Sequence, residues 1–180
     1  MKANKLVPKI KQNKLQQNPL FIKFLNWTED KYTIYEIMSQ IYNQVQSFKD
    51  KEIIKKRIET LTDDYLNNLS SFKKVFQKYM DETISIHNIS ESFLAWLNNA
   101  FKYIKESVAL DVRNEERTLE ITDSEGRWFE GFICYNFIMT FNYFSVFIIK
   151  QCPVCNKYFC HKGKYAKYCS DTCKGTTKGE

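Results

Sequence analysis

Glycine and proline are scarce, with five and three in 180 residues. A loop-rich sandwich needs turn residues every ~8–12 positions, so the scarcity argues for helices. No phosphate-cradling loop can be drawn through Gly126, Gly131, Gly163, Gly175 and Gly179. HExxH, nucleophile-elbow and paired-carboxylate patterns are missing as well. Glu115-Glu116 and Asp63-Asp64 are adjacent pairs. On a helix such neighbours point about 100° apart, as solvated faces do. No enzyme is expected. Met1–Lys5 is basic, but no apolar signal-peptide core follows it. A cytoplasmic chain with reduced thiols is the expectation. Aromatic side chains, by contrast, are abundant. Fourteen Phe and 11 Tyr within a 43% hydrophobic chain supply a large core and exclude a disordered one.

The net charge of +6 is unevenly spread. Residues 1–14 carry five Lys and no acid, and residues 150–180 carry seven Lys against Asp171 and Glu180. Each end therefore has a net of +5, while residues 15–149 sum to −4. A near-neutral body with basic ends suits a polyanionic partner. A lysine-rich terminus alone more often serves solubility, and residues 1–18 are expected to form a flexible basic arm.

Hydrophobic spacing predicts a mainly α fold. Ile34, Ile37, Met38, Ile41, Tyr42 and Val45 recur at three and four over 31–48, with Thr28 as the expected N-cap. A second stripe runs through 50–80, from Ile54 to Phe76, interruptible at Thr62-Asp63-Asp64 or Asn67-Asn68. A third runs from the cap Ser90 to about Leu110. Polar–apolar alternation over Thr118–Thr122 predicts a strand. With a turn at Asp123–Gly126, it would return through Arg127-Trp128-Phe129 as a short hairpin. Phe132–Ile149 is 18 residues without charge. That length borders on a membrane span, but Asn136, Thr140, Asn142 and Ser145 interrupt it. A buried helix is the preferred reading, and no membrane association is expected. The resulting division is an arm at 1–18, a helical domain at 19–150 and a small module at 151–180.

The module holds the chemistry. Cys152-Pro153-Val154-Cys155 is a CPxC turn, and Cys169 and Cys173 form a CxxxC pair thirteen residues later. Two close pairs with a foldable spacer suit one tetrahedral zinc ion, with sulfurs at about 2.3 Å. Ser170 is placed to cap a helix starting at the second pair. Disulfides are disfavoured in a reducing compartment. A thioredoxin-type CxxC needs a βαβ context that is missing here. Four cysteines close the shell, which excludes catalytic zinc with its open position. Cys160 and His161 are two further potential donors, less economical than the paired set. Cys134, inside the apolar run, is a small core residue in this reading, and His87 has no ligand pattern around it.

CPVCNKYF, the basic HKGKYAK and YCSDTCK together resemble the C-terminal finger of the bacterial CGNR-type zinc proteins. The resemblance implies a treble-clef-like finger fed directly by a helix, and a role in transcription regulation. Cys173-Lys174-Gly175-Thr176 stands where that family has Cys-Gly-Asn-Arg.

Lys157, Lys162, Lys164, Lys167 and Lys174 surround the cysteines, with Tyr165 among them. Lysines meet phosphates and a tyrosine ring stacks on an unpaired base. No Arg follows Arg127, so bidentate guanine reading is missing from this end. Backbone-dominated nucleic-acid binding, most simply of DNA, is the expectation. The alternative is a zinc-stabilised protein-docking module whose lysines only keep it soluble.

Overall fold

The computed structural model describes residues 19–86, 88–111, 114–122, 127–144, 149–161 and 166–176. The arm at 1–18, the turn at 123–126 and His87 lie outside the described residues. Among those described, seven α-helices are joined by two separate two-stranded antiparallel sheets.

The first helix, α1 (Leu20–Leu25), has the sequence LFIKFL. Six residues do not hold a helix in water, where even ~12–15 are marginal. Burial holds this one. Leu20, Phe21, Ile22, Phe24 and Leu25 are all 4% exposed or less. The Pro19 carbonyl accepts from the N–H groups of Ile22 and Lys23 at 2.9 and 3.1 Å. The Asn136 side chain accepts from the Phe21 N–H at 3.3 Å. At the other end, the Gln77 amide donates to the Leu25 carbonyl at 3.2 Å, and Lys73 Nζ donates to the Trp27 carbonyl. Burial lowers the pKa of Lys73, against the pull of Glu29.

The next helices follow the hydrophobic stripes, with local corrections. Helix α2 spans Lys31–Gln44 and is capped by Asp30, not Thr28. Glu29 stands between them at φ +68°, a left-handed conformation that no helix admits. The Asp30 carboxylate accepts from the Thr33 N–H at 2.7 Å, and the Thr28 hydroxyl only supports it at 3.4 Å. The Thr33 amide, more than any other contact, holds the Asp30 carboxyl below its ordinary range against the effect of burial. The stripe over 50–80 is two helices, α3 (Phe48–Glu59) and α4 (Asp63–Ile86). The Thr62 hydroxyl accepts from the Tyr65 N–H at 3.2 Å, so the break falls at the first site expected for it. Helix α5 (Glu91–Ala100) starts at Ser90, whose hydroxyl accepts from the Phe93 N–H at 3.3 Å.

Beyond α5 the structure departs from the expected pattern. The helix stops at Ala100, and a 3-10 turn at Phe101–Tyr103 leads into β1 (Ile104–Asp111). β1 pairs antiparallel with β2 (Asn114–Ile121), from Ile104 opposite Ile121 to Asp111 opposite Asn114. The hairpin therefore lies one strand upstream of the expected one. Trp128 and Phe129 do not return as a strand but open helix α6 (Trp128–Phe144). Their spacing to Phe132 and Ile133 is helical, and all four are buried. The described part of the apolar run is thus helical, begins earlier than expected and is buried at Phe132, Ile133, Cys134 and Phe137, while Ile149 belongs to a strand. Gly131 permits its close approach, since a Cβ there would sit 3.0 Å from the Ala100 carbonyl oxygen. No helix among the described residues is long and apolar enough to cross a membrane.

Helices α1, α4, α5 and α6 meet in an aromatic seam. The Phe137 ring lies 5.4 Å from Phe21 and 5.7 Å from Phe76, both edge to face, and 5.3 Å from Phe93. Each fully buried Phe contributes about 1.5–3 kcal/mol of transfer free energy. Two buried polar atoms have no hydrogen-bond partner among the described residues, Trp128 Nε1 and the Oδ2 carboxylate oxygen of Asp50. Asp50, on the first turn of α3, is 2% exposed. Burial raises its pKa above 3.8, the Ile121 N–H opposes this, Glu120 adds to the rise and Lys49 opposes it.

A carboxyl with a raised pKa makes the folded state bind its proton more tightly than the unfolded chain does. Its penalty is absent below 3.8 and grows as the pH rises to the folded value. The melting temperature of Asp50→Asn minus that of wild type should therefore rise from acid to neutral pH. A difference that is flat or falls with pH would contradict this account of Asp50.

Candidate metal centre

Strands β3 (Ile149–Gln151) and β4 (Tyr158–Cys160) pair antiparallel, Ile149 opposite Cys160 and Gln151 opposite Tyr158. Their connection is the CPVCNK turn, so the hairpin encloses the first cysteine pair. The Cys152 N–H donates to the Lys157 carbonyl at 2.9 Å, and the Asn156 N–H donates to the Cys152 carbonyl at 2.8 Å. Asn156 takes φ +56°, which asparagine tolerates better than most residues. Helix α7 (Asp171–Thr176) carries the second pair, Cys169 just before it and Cys173 within its first turn. The Ser170 hydroxyl accepts from the Cys173 N–H at 3.3 Å, the cap that the sequence suggested.

This arrangement brings Cys152, Cys155, Cys169 and Cys173 together. Their four sulfurs lie within 4.8 Å of one another. Cys155 and Cys169 are 3.5 Å apart, and Cys169 and Cys173 are 3.6 Å apart. Four thiolates at about 2.3 Å from one ion form a tetrahedron with edges of about 3.8 Å. The cluster therefore fits a single tetrahedral metal ion. All six cysteines are free of disulfides. Cys160 stands outside the cluster, where burial pushes its thiol up to about 12. Cys134 is fully buried in α6, and burial raises its thiol well above the ordinary range, with Glu130 adding to the effect. Neither extra cysteine joins the metal set, and neither does the exposed His161.

The electrostatics call for a cation. Burial works against a charged Cys152, but the backbone N–H groups of Cys169, Cys155 and Val154 outweigh it and bring the thiol down to about 6. Cys169 goes the other way, up to about 12, through burial and through S–H bonds to its three neighbours. Four thiolates crowded within 4.8 Å would repel one another strongly. A bound cation supplies the missing charge and lets all four ionise.

Residues distant in sequence hold the hairpin in place. The Asn26 side chain, just after α1, pairs with Tyr158 as a neighbouring strand would. Its amide donates to the Tyr158 carbonyl at 2.7 Å, and its carbonyl accepts from the Tyr158 N–H at 2.8 Å. The Tyr158 hydroxyl donates to Asp81 Oδ1 of α4 at 2.5 Å. Burial, then Asp81, keeps that hydroxyl protonated well above its ordinary range. Lys150 Nζ donates to the Ala166 carbonyl at 2.7 Å and ties β3 to the chain approaching α7. Ile149 and Tyr158 belong to the same buried core as α1. No local pattern points to Asn26 or Asp81, which lie 132 and 77 residues from Tyr158.

Of the residues expected to meet nucleic acid, Lys167 and Lys174 are exposed and line one cleft of about 660 Å³ with His161, Tyr168 and Asp171. Lys157 is exposed at the end of the CPVCNK turn, apart from that cleft. Lys162, Lys164 and Tyr165 lie outside the described residues. The chain matches no known protein-family model and no curated protein.

Removing one thiolate opens the tetrahedron, so Cys169→Ser should hold no stoichiometric metal, while Cys134→Ser and Cys160→Ser should keep one ion per chain. Native mass spectrometry with elemental analysis measures this. A full complement of metal in Cys169→Ser would remove Cys169 from the set. Asn26→Ala deletes two hydrogen bonds to Tyr158 and should lower stability by about 2 kcal/mol. Denaturant unfolding followed by tryptophan fluorescence checks that loss.

Proposed function

We propose that the chain is a zinc-finger protein that binds nucleic acid, DNA in the first instance, through the lysine-bearing face of its finger. The observation that carries this reading is how the finger uses its apolar surface. Ile149, Tyr158 and Phe159 are buried, and Tyr158 is bound to Asn26 and Asp81 of the helical body. Lys157, Lys167 and Lys174 remain exposed. A finger acting as a protein knob would keep an apolar patch for its partner. Val154, 37% exposed at the turn, is the only large hydrophobic of the finger among those exposed in the described residues. One such side chain is far short of a patch of several hundred Å².

Zinc is the metal in this reading because four thiolates at tetrahedral spacing suit a closed structural site. Such a site leaves no open position for catalysis, so a binding role is proposed rather than an enzymatic one. The metal's own charge tempers the electrostatics. Four thiolates around a dication carry a net −2, which lowers the +5 of residues 150–180 to +3. The remaining positive charge supports contact with phosphates. The lack of Arg after Arg127 favours backbone contacts over base reading. The likeness to CGNR-type fingers adds a role in transcription regulation to the proposal. Reduced thiols in the site fit a cytoplasmic setting.

If Lys157, Lys167 and Lys174 each meet a phosphate, the logarithm of affinity should fall with the logarithm of salt at a slope of about −2 to −3. Replacing Lys167 and Lys174 together by Gln should flatten the slope by about two and weaken all sequences alike. Titration of the zinc-loaded chain with labelled DNA and RNA measures both quantities. No binding at low salt, with zinc in place, would overturn the reading in favour of protein docking.

A further inference from the structure

The cleft beside the metal is lined by groups of three kinds. Lys167, Lys174 and His161 offer cationic or hydrogen-bonding nitrogen, Tyr168 an aromatic ring, and Asp171 a carboxylate acceptor. We propose that this cleft takes one unpaired nucleotide, so that the finger prefers single-stranded to duplex nucleic acid. The inference rests on the nucleic-acid reading above and narrows it to a substrate class.

Three physical points lead there. The first is shape. A cleft of about 660 Å³ falls within the ~300–1,000 Å³ range of small-ligand sites and has room for a nucleotide. A duplex is convex, with its bases stacked inside, and must flip a base out to fill such a space at the cost of unstacking. A single strand offers the base directly.

The second point is chemistry. Lysine alone would suit any phosphate, but Asp171 in the same wall repels a purely anionic ligand. A nucleotide resolves the conflict, with its phosphate toward the lysines, its base against the Tyr168 ring and a base amino group donating to Asp171. Adenine, cytosine and guanine carry such an amino group, whereas thymine and uracil do not.

The third point is rigidity. The cleft includes Cys169 of the metal set, and Lys150 ties Ala166, another wall residue, to β3 at 2.7 Å. A metal-fixed wall loses little conformational entropy when a strand binds.

Fluorescence anisotropy of the zinc-loaded full chain tests the proposal, using a mixed-sequence 12-nucleotide strand and the duplex of the same sequence. The single strand should bind roughly tenfold tighter, the scale of one stacked base. Oligo-dT should bind more weakly than oligo-dC of equal length. Tyr168→Phe should keep the preference, and Tyr168→Leu should abolish it. Zinc content of each variant separates loss of stacking from loss of the finger. If Tyr168→Leu loses zinc, Asp171→Asn takes its place and should erase the dC-over-dT difference. Equal or tighter duplex binding, or a preference unchanged in the zinc-loaded variant used, would overturn the cleft proposal and leave the nucleic-acid reading standing. Failure of the zinc-loaded chain to bind either form would overturn both.

Discussion

A six-residue helix has too few internal hydrogen bonds to persist in water, and α1 exists because other elements enclose it. It touches α2, α4, α6 and β4, and five of its six side chains are buried. Its polar ends are answered from elsewhere in the chain, by Asn136 of α6 at the start and by Gln77 and Lys73 of α4 at the finish. These partners explain polar side chains that would otherwise look misplaced. Asn136 interrupts the most apolar helix because the Phe21 N–H needs an acceptor. Buried backbone groups left unpaired cost about 1–3 kcal/mol each, so the packing around α1 depends on these bonds as much as on apolar contact.

The same helix connects the body to the metal centre. Asn26 leaves α1 and pairs with both backbone groups of Tyr158, while Asp81 of α4 takes the Tyr158 hydroxyl. β4 is only three residues long, and among the described residues its strand partner is β3. Asn26 supplies hydrogen bonds like those of a third strand. The hairpin that presents Cys152 and Cys155 is thus fixed on one side by the body and on the other by the four-sulfur cluster. The two anchors oppose different failures. Without a cation the sulfurs cannot all ionise at such short range, and without Asn26 the strand carries an unpaired edge.

This division of surfaces bears on function. The hairpin turns Tyr158 and Phe159 inward, while Lys157, Lys167 and Lys174 are exposed. In the proposed reading such a surface draws a polyanion through long-range electrostatics, and among the described residues it offers a protein partner little apolar area. In that reading a dication held by four thiolates lowers the positive charge without reversing it, and the cleft containing Tyr168 and Asp171 gives the remaining charge a shaped setting.

The amino-acid sequence by itself determined the features set by local spacing. These are the stripes of α2, α3 and α4, the caps at Ser90 and Ser170, and the four cysteines of the cluster. A cap reaches three residues along the chain and a stripe repeats every three or four, so both are legible in a short window. Tertiary structure decided the rest. The helical stripe from Ser90 reaches about Leu110, but pairing with Asn114–Ile121 makes Ile104–Asp111 a strand. Strand pairing supplies backbone hydrogen bonds that no window around residue 108 can anticipate, and it overrides weak helical propensity. Trp128 and Phe129 look equally suited to a strand or to a buried helix, and enclosure within the core selects the helix. The role of Asn26 was invisible because its partner is 132 residues away. An asparagine side chain becomes a strand mimic only when folding brings a bare edge within hydrogen-bond reach.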